Sequence, residues 1–85
     1  MDYDTVKVDE MALALLFLTS FEDHGITRAW KGMDWDVLDR LYEKGYIHDP
    51  KNKNKSVMFT EKGYKRCRKL FEKHFGLESS ENGVV

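Results

Sequence analysis

The sequence predicts a mainly α-helical domain with one small β-hairpin, in the order helix, helix, helix, strand, strand, helix. Three observations lead there. An apolar segment, MALALLFL, sits near the start of the chain. Two short apolar runs, YIHD and SVMF, flank a lysine-rich loop. The stretch EKGYKRCRKLFEKHF then interleaves basic and apolar residues at helical spacing.

A chain of 85 residues has the size of one domain, which buries roughly 60% of the surface its unfolded chain exposes. We expect that domain over residues 1–76. Apolar periodicity ends there, so residues 77–85 are expected to form a flexible tail.

The first helix is expected from Thr5 to Phe21, closed by EDHG with Gly25 in the left-handed position after it. Its apolar residues, Val6, Val8, Met11, Leu13 and Leu15 to Leu18, surround nearly the whole cylinder. Such a helix must be covered on more than one side. Either the other elements wrap it, or a homodimer built on this helix buries the remainder. ITRAWKG is expected as a turn and short helix with Thr27 as N-cap. DWDVLDRLYEKG follows as a third helix, capped by Asp34 and closed by Gly45. Its expected buried arc is Trp35, Val37, Leu38, Leu41 and Tyr42, with Asp36, Asp39, Arg40 and Glu43 on the other face.

YIHD and SVMF read as a strand pair with Ile47, Val57 and Phe59 turned inward by the period of two. Thr60 caps the last helix. At 100° per residue, Lys62, Arg66, Lys69 and Lys73 fall on one side of it, and Tyr64, Cys67, Leu70, Phe71 and Phe75 on the other.

Charge is divided along the chain. Residues 1–50 hold 5 Lys/Arg against 11 Asp/Glu, a balance of −6, and residues 51–85 hold 9 against 4, a balance of +5. This asymmetry points to a charged partner or to self-association. The single cysteine excludes an internal disulfide and argues against a cysteine-rich zinc site. The apolar run of 8 residues is too short to span a bilayer, and the residues before it are acidic, unlike a secretory leader. A cytoplasmic protein with no membrane association is expected.

The stretch LDRLYEKGYIHDPKNKNKSVMFTEKG, Leu38 to Gly63, resembles winged-helix regulators of the multiple-antibiotic-resistance type. In that family a leucine-spaced helix ends in Gly and an aliphatic strand, a basic wing follows, and the second strand runs into Thr-Glu-Lys-Gly. The resemblance covers about a third of the chain. It implies a winged-helix-turn-helix-like fold, with Asp34 to Lys44 as recognition helix and Asp49 to Ser56 as wing. The whole chain, RAWKGMDWD included, also resembles a small uncharacterised bacterial family classed as a domain of unknown function. That likeness implies no activity, and a fold does not carry one.

The recognition helix departs from the regulators' pattern. Its exposed face offers Asp36, Asp39 and Glu43 against Arg40, which argues against insertion into a major groove. The wing is the better candidate for nucleic acid. Lys51, Lys53 and Lys55 alternate with Asn52 and Asn54, so an extended segment shows all three lysines on one side. Lys62, Arg66, Lys69 and Lys73 would enlarge this basic surface. If all seven met phosphates, binding would fall steeply with salt. The plainer explanations are a hairpin tip whose lysines block edge pairing and the solvated side of an amphipathic helix.

A protein-interaction module is the alternative, using the acidic face at Asp36, Asp39 and Glu43, the basic last helix, or Trp30 as an anchor. Trp35 is expected in the core, where a tryptophan pins a turn. Enzyme chemistry has no motif: FEDHG is not a triad, and no phosphate-cradling or nucleophile pattern occurs. His24, His48 and His74 lack metal-ligand spacing, and Cys67 reads as a buried small hydrophobe. No cofactor is expected.

Overall fold

The computed structural model describes residues 1–77, so the expected tail lies, but for Leu77, outside the described residues. The fold is mixed α/β: three helices and a three-stranded antiparallel sheet. The order is α1 (Thr5–Leu18), β1 (Ser20–Asp23), β2 (Ile26–Trp30), α2 (Trp35–Glu43), β3 (Ser56–Met58) and α3 (Glu61–Phe75). The sheet runs β1-β2-β3.

The largest departure from expectation is in residues 19–30. The first helix stops at Leu18, where Thr19 and Ser20 turn their hydroxyls back to the Leu16 and Phe17 carbonyls. ITRAWKG is not a helix, and Thr27 caps nothing. Ile26 to Trp30 form a strand paired to Ser20–Asp23, with Asp23 opposite Ile26. The loop between them is His24–Gly25, with φ of 53° and 79°. Two positive φ values in a two-residue loop give the turn whose twist matches a hairpin. Gly25 is therefore left-handed as expected, but it closes a hairpin, not a helix. The β-branched Ile26 and Thr27 and the ring of Trp30 also favour a strand.

The 46–59 segment keeps part of its expected pairing. Ile47 and Phe59 form a single bridge, and the His48 amide donates to Met58 O. β3 makes its main ladder with β2, pairing Arg28 with Met58, Ala29 with Val57 and Trp30 with Ser56. Ile47, Val57 and Phe59 all point into the core, as the alternation predicts.

The sheet alternation separates two faces. Ala29 and Val57 are buried against the helices, with Leu13, Leu16, Leu38, Leu41, Cys67 and Leu70 filling the core. Phe21, Arg28, Trp30 and Met58 turn the other way. α2 has only 9 residues, too few for an isolated helix. Burial of Val37, Leu38 and Leu41 holds it, each such side chain contributing roughly 1.5–3 kcal/mol. Its expected buried arc is narrower than the sequence suggested, because Trp35 and Tyr42 are exposed. α1 buries Ala12, Leu13, Ala14 and Leu16 and leaves Val6, Leu15 and Leu18 in solvent. Among the described residues, no helix is long and apolar enough to cross a membrane.

Candidate functional site

The basic residues expected to act together fall into two groups with different neighbours. The first is the 49–55 loop. The sequence suggested an extended segment, but the loop is folded on itself. Asp49 accepts from the Lys51 amide at 2.8 Å, and Asn52 Oδ1 accepts from the Asn54 amide at 2.8 Å. Asn52 Nδ2 donates to Asp49 O, and Pro50 is buried beneath. Asn side chains close local turns of this kind because they reach their own backbone. A cation just after β2, not singled out in the sequence, fixes the loop to the sheet: Lys31 Nζ donates to both Asn52 O and Asn52 Oδ1 at 3.2 Å, and the Lys31 amide donates to Lys55 O.

Lys51, Lys53 and Lys55 are all exposed. Lys51 Nζ lies 3.9 Å from Asp39 of α2, and Asp39, Tyr42, Glu43, Asp49 and Lys51 line one shallow groove. The acidic face of α2 is thus answered partly from within the chain. Asp36 and Glu43 remain exposed. Among the described residues, Lys53 and Lys55 form no ion pair.

The second group lies on α3. Lys62 Nζ donates to Lys44 O at 3.0 Å and stands 5.1 Å from the centre of the Tyr46 ring. Arg66 approaches Glu10 of α1 at 3.5 Å, and His74 Nε2 reaches the same carboxylate at 3.4 Å. Lys62, Lys65, Arg66 and Lys69 line a shallow groove with Tyr46 and Glu61. Among the described residues, Lys69 and Lys73 have no acidic partner. Among the described residues no hydrogen bond or ion pair joins the two groups: the loop is held by Lys31 after β2 and by Asp39 of α2, the helix by Glu10 of α1 and the turn after α2.

Trp30 is 56% exposed, its ring centre 4.9 Å from that of Phe21. Trp35, expected in the core, is 52% exposed. It is the first residue of α2, outside the buried stripe, and Lys31 Nζ lies 5.6 Å from its ring. An α2 of this length buries only the stripe facing α1, and its first residue projects past it.

Residues 4–77 match the family described as "Domain of unknown function (DUF6429)". The chain belongs to this family. It is also similar to the "Uncharacterized protein y4hR" of Sinorhizobium fredii (strain NBRC 101917 / NGR234), with 47% identity over 75 residues, 88% of this chain and 97% of the relative. No solved structure matches the chain significantly. Neither the family's description nor the relative's name states an activity, so the chemistry of this DUF6429 domain must be argued from its side chains.

Sequence reasoning missed one group inside the domain. Asp9 of α1 is 2% exposed. Its Oδ2 accepts from Arg40 Nε at 2.7 Å and Lys44 Nζ at 3.1 Å, and its Oδ1 from Arg40 Nη2 at 2.8 Å. Arg40, read as part of an exposed face, turns inward to make this bidentate clamp. The signal was present: an acid on a helix apolar all round has to find a partner. Burial by itself would raise the Asp9 pKa, but the hydrogen bonds and charges of Arg40 and Lys44 prevail and hold it below the ordinary value.

Cys67 is fully buried, as expected, and its Sγ donates to Tyr64 O. Burial pushes the thiol up to about 12, so the thiolate is scarce at neutral pH. A maleimide or disulfide reagent should label Cys67 only as fast as the protein unfolds, with the rate accelerated by urea. Labelling of the folded protein at the rate of a free thiol would contradict this placement.

Proposed function

We propose that this DUF6429 domain is a non-enzymatic module that binds nucleic acid through backbone charge, chiefly with Lys53 and Lys55 of the 49–55 loop. Lys62, Arg66, Lys69 and Lys73 of α3 extend the basic surface. The observation that carries this reading is the order of the loop. A tip whose lysines only discourage edge pairing needs no internal structure. Here two Asn/Asp turns, a buried proline and Lys31 hold the backbone in place, while Lys53 and Lys55 stay exposed and unpaired among the described residues. Fixed cations lose little freedom on meeting phosphates.

The winged-helix part of the reading is supported by the segment that suggested it. From Leu38 to Gly63 the chain runs helix, Gly turn, bridge residue, basic loop, strand, helix. In this reading α2 stands where a recognition helix would, the loop is the wing, and the β1–β2 hairpin replaces the preceding helix of the helix-turn-helix. The acids of α2 would keep it away from the groove, leaving the wing as the contact.

The test is fluorescence polarisation of labelled oligonucleotides, duplex and single-stranded, at low and near-physiological salt. Saturable binding is expected, and Lys53→Glu/Lys55→Glu should weaken it and flatten the salt dependence. The slope of log K against log salt should fall by roughly 1.4–1.8 for two lost phosphate contacts. Absence of binding by the wild type even at low salt would sink the proposal. A protein-interaction module would then be the better reading. It is favoured by the exposed Leu15 and Leu18, which share one side of α1 and suit a second copy of the chain, and by the acidic face at Asp36, Asp39 and Glu43.

A further inference from the structure

We infer that the outer face of the sheet is a stacking platform for the bases of a single strand, so that the bound nucleic acid is single-stranded. This inference rests on the reading that the 49–55 loop holds phosphates.

The outer face is built by the register of three strands. Phe21 lies opposite Arg28, Arg28 opposite Met58, and Trp30 opposite Ser56, so these side chains share one side. Phe21 and Trp30 are diagonal neighbours across β1 and β2, close enough for their rings to pack. The helices pack on the other side; on this face Trp30 is exposed and Phe21, Arg28 and Met58 are half-buried. Arg28 crosses it, donating from Nε to Ser56 Oγ at 2.7 Å and from Nη2 to Ser56 O at 3.4 Å. A planar guanidinium and an indole side by side offer two surfaces on which a base can stack.

Charge is distributed along this face in the sense a polyanion requires. Trp30 is at the end of β2 that carries Lys31, and the Lys31 amide is bonded to Lys55 O. The aromatic end of the platform therefore adjoins the cationic loop. Asp23 lies on the same face but at the far end, opposite Ile26, where it pairs with His24 at 2.9 Å. A strand can place phosphates at Lys53 and Lys55 and bases on Trp30 and Phe21. A duplex cannot, since its bases are already stacked and only its backbone is presented. An apolar protein partner would use Trp30 as well, but would not need Arg28 on the same face or the exposed Lys53 and Lys55 of the adjoining loop.

Three probes of about 12 nucleotides separate these possibilities: a thymidine single strand, a duplex, and an abasic strand with the same number of phosphates. The wild type should bind the thymidine strand most tightly. Trp30→Ala should weaken that binding about tenfold and leave the abasic strand unaffected. Trp30 is over half exposed, so the variant should fold. Independently, in Trp35→Phe, which leaves Trp30 as the sole tryptophan, the thymidine strand should quench fluorescence saturably.

If the abasic strand binds as tightly as the thymidine strand, or Trp30→Ala changes nothing, the platform is overturned while phosphate binding by the loop survives. If none of the three probes binds, both readings fall. If Trp30→Ala changes the sedimenting mass and not the affinity for the thymidine strand, the face covers a second copy and the platform is wrong.

Discussion

Asp9→Asn should lower the stability of the domain by about 2–3 kcal/mol and its Tm by roughly 10–20 °C, measured by urea and thermal unfolding. Asp9 is the one acid buried among the described residues, and it ties α1 to α2. Removing its charge leaves two cations facing an amide. The loss is kept below the 3–5 kcal/mol of a fully buried broken pair, because the Arg40 and Lys44 side chains are 30% and 39% exposed and can turn to water. Arg40→Met should cost more than Asp9→Asn, since the carboxylate cannot leave and keeps only Lys44. The double variant Asp9→Leu/Arg40→Met should recover most of the loss, as apolar replacement of a buried pair does. Additive losses in the double variant would show that the pair is not what joins the helices.

The same pair fixes the sign of a pH effect. The folded-state pKa of Asp9 lies below its ordinary 3.8. Its contribution is therefore fully present above that value and is lost as pH falls through the lower, folded one. The difference in stability between wild type and Asp9→Asn should be constant from neutral pH down to about pH 5 and shrink below pH 4. A difference that grew on acidification would mean that Asp9 is destabilised, not stabilised, by its surroundings.

What the sequence made legible depended on whether local signals and tertiary contacts agreed. α2 and α3 carry strong caps and a one-sided apolar stripe, and both form where expected, Asp34 and Thr60 accepting from the Asp36 and Gly63 amides. The β1–β2 hairpin was hidden because ITRAW is short and its apolar residues fit either period. Gly25 supports a helix end or a hairpin turn equally, and only the partner strand β3 decides. The position of Trp35 followed from the length of α2, which composition does not reveal. The candidate site was half legible. The lysines of the loop could be read directly. Lys31 and Arg28 could not, because they join the loop and the sheet only once ITRAW is a strand. The division of the seven cations between two surroundings likewise needs the fold.

The segment that carried the winged-helix resemblance has its own physical explanation, and one glycine tests it. The carbonyls of Lys44, Gly45 and Tyr46, which end α2 and begin the turn, each accept from the start of α3. Lys62 Nζ donates to Lys44 O, Thr60 Oγ1 to Gly45 O and the Thr60 amide to Tyr46 O. Thr60 Oγ1 also caps α3 by accepting from the Gly63 amide. For these bonds to form, α3 must approach the Tyr46 backbone so closely that a methyl group on Gly63 would overlap the Tyr46 carbonyl. On an exposed helix, Gly→Ala would stabilise by up to about 1 kcal/mol. Here the sign should reverse. Backbone meets backbone, no flexible side chain can yield, and Gly63→Ala should cost about 3–5 kcal/mol. A domain of this size has roughly that much to lose, so the variant should be largely unfolded at 25 °C by circular dichroism. Gly32→Ala, where nothing lies within 4 Å of the added methyl, should stay within about 1 kcal/mol of wild type. If Gly63→Ala were as stable as Gly32→Ala, α3 would not dock on Tyr46 in solution. The Thr-Glu-Lys-Gly sequence would then need a reason other than locking the two helices together.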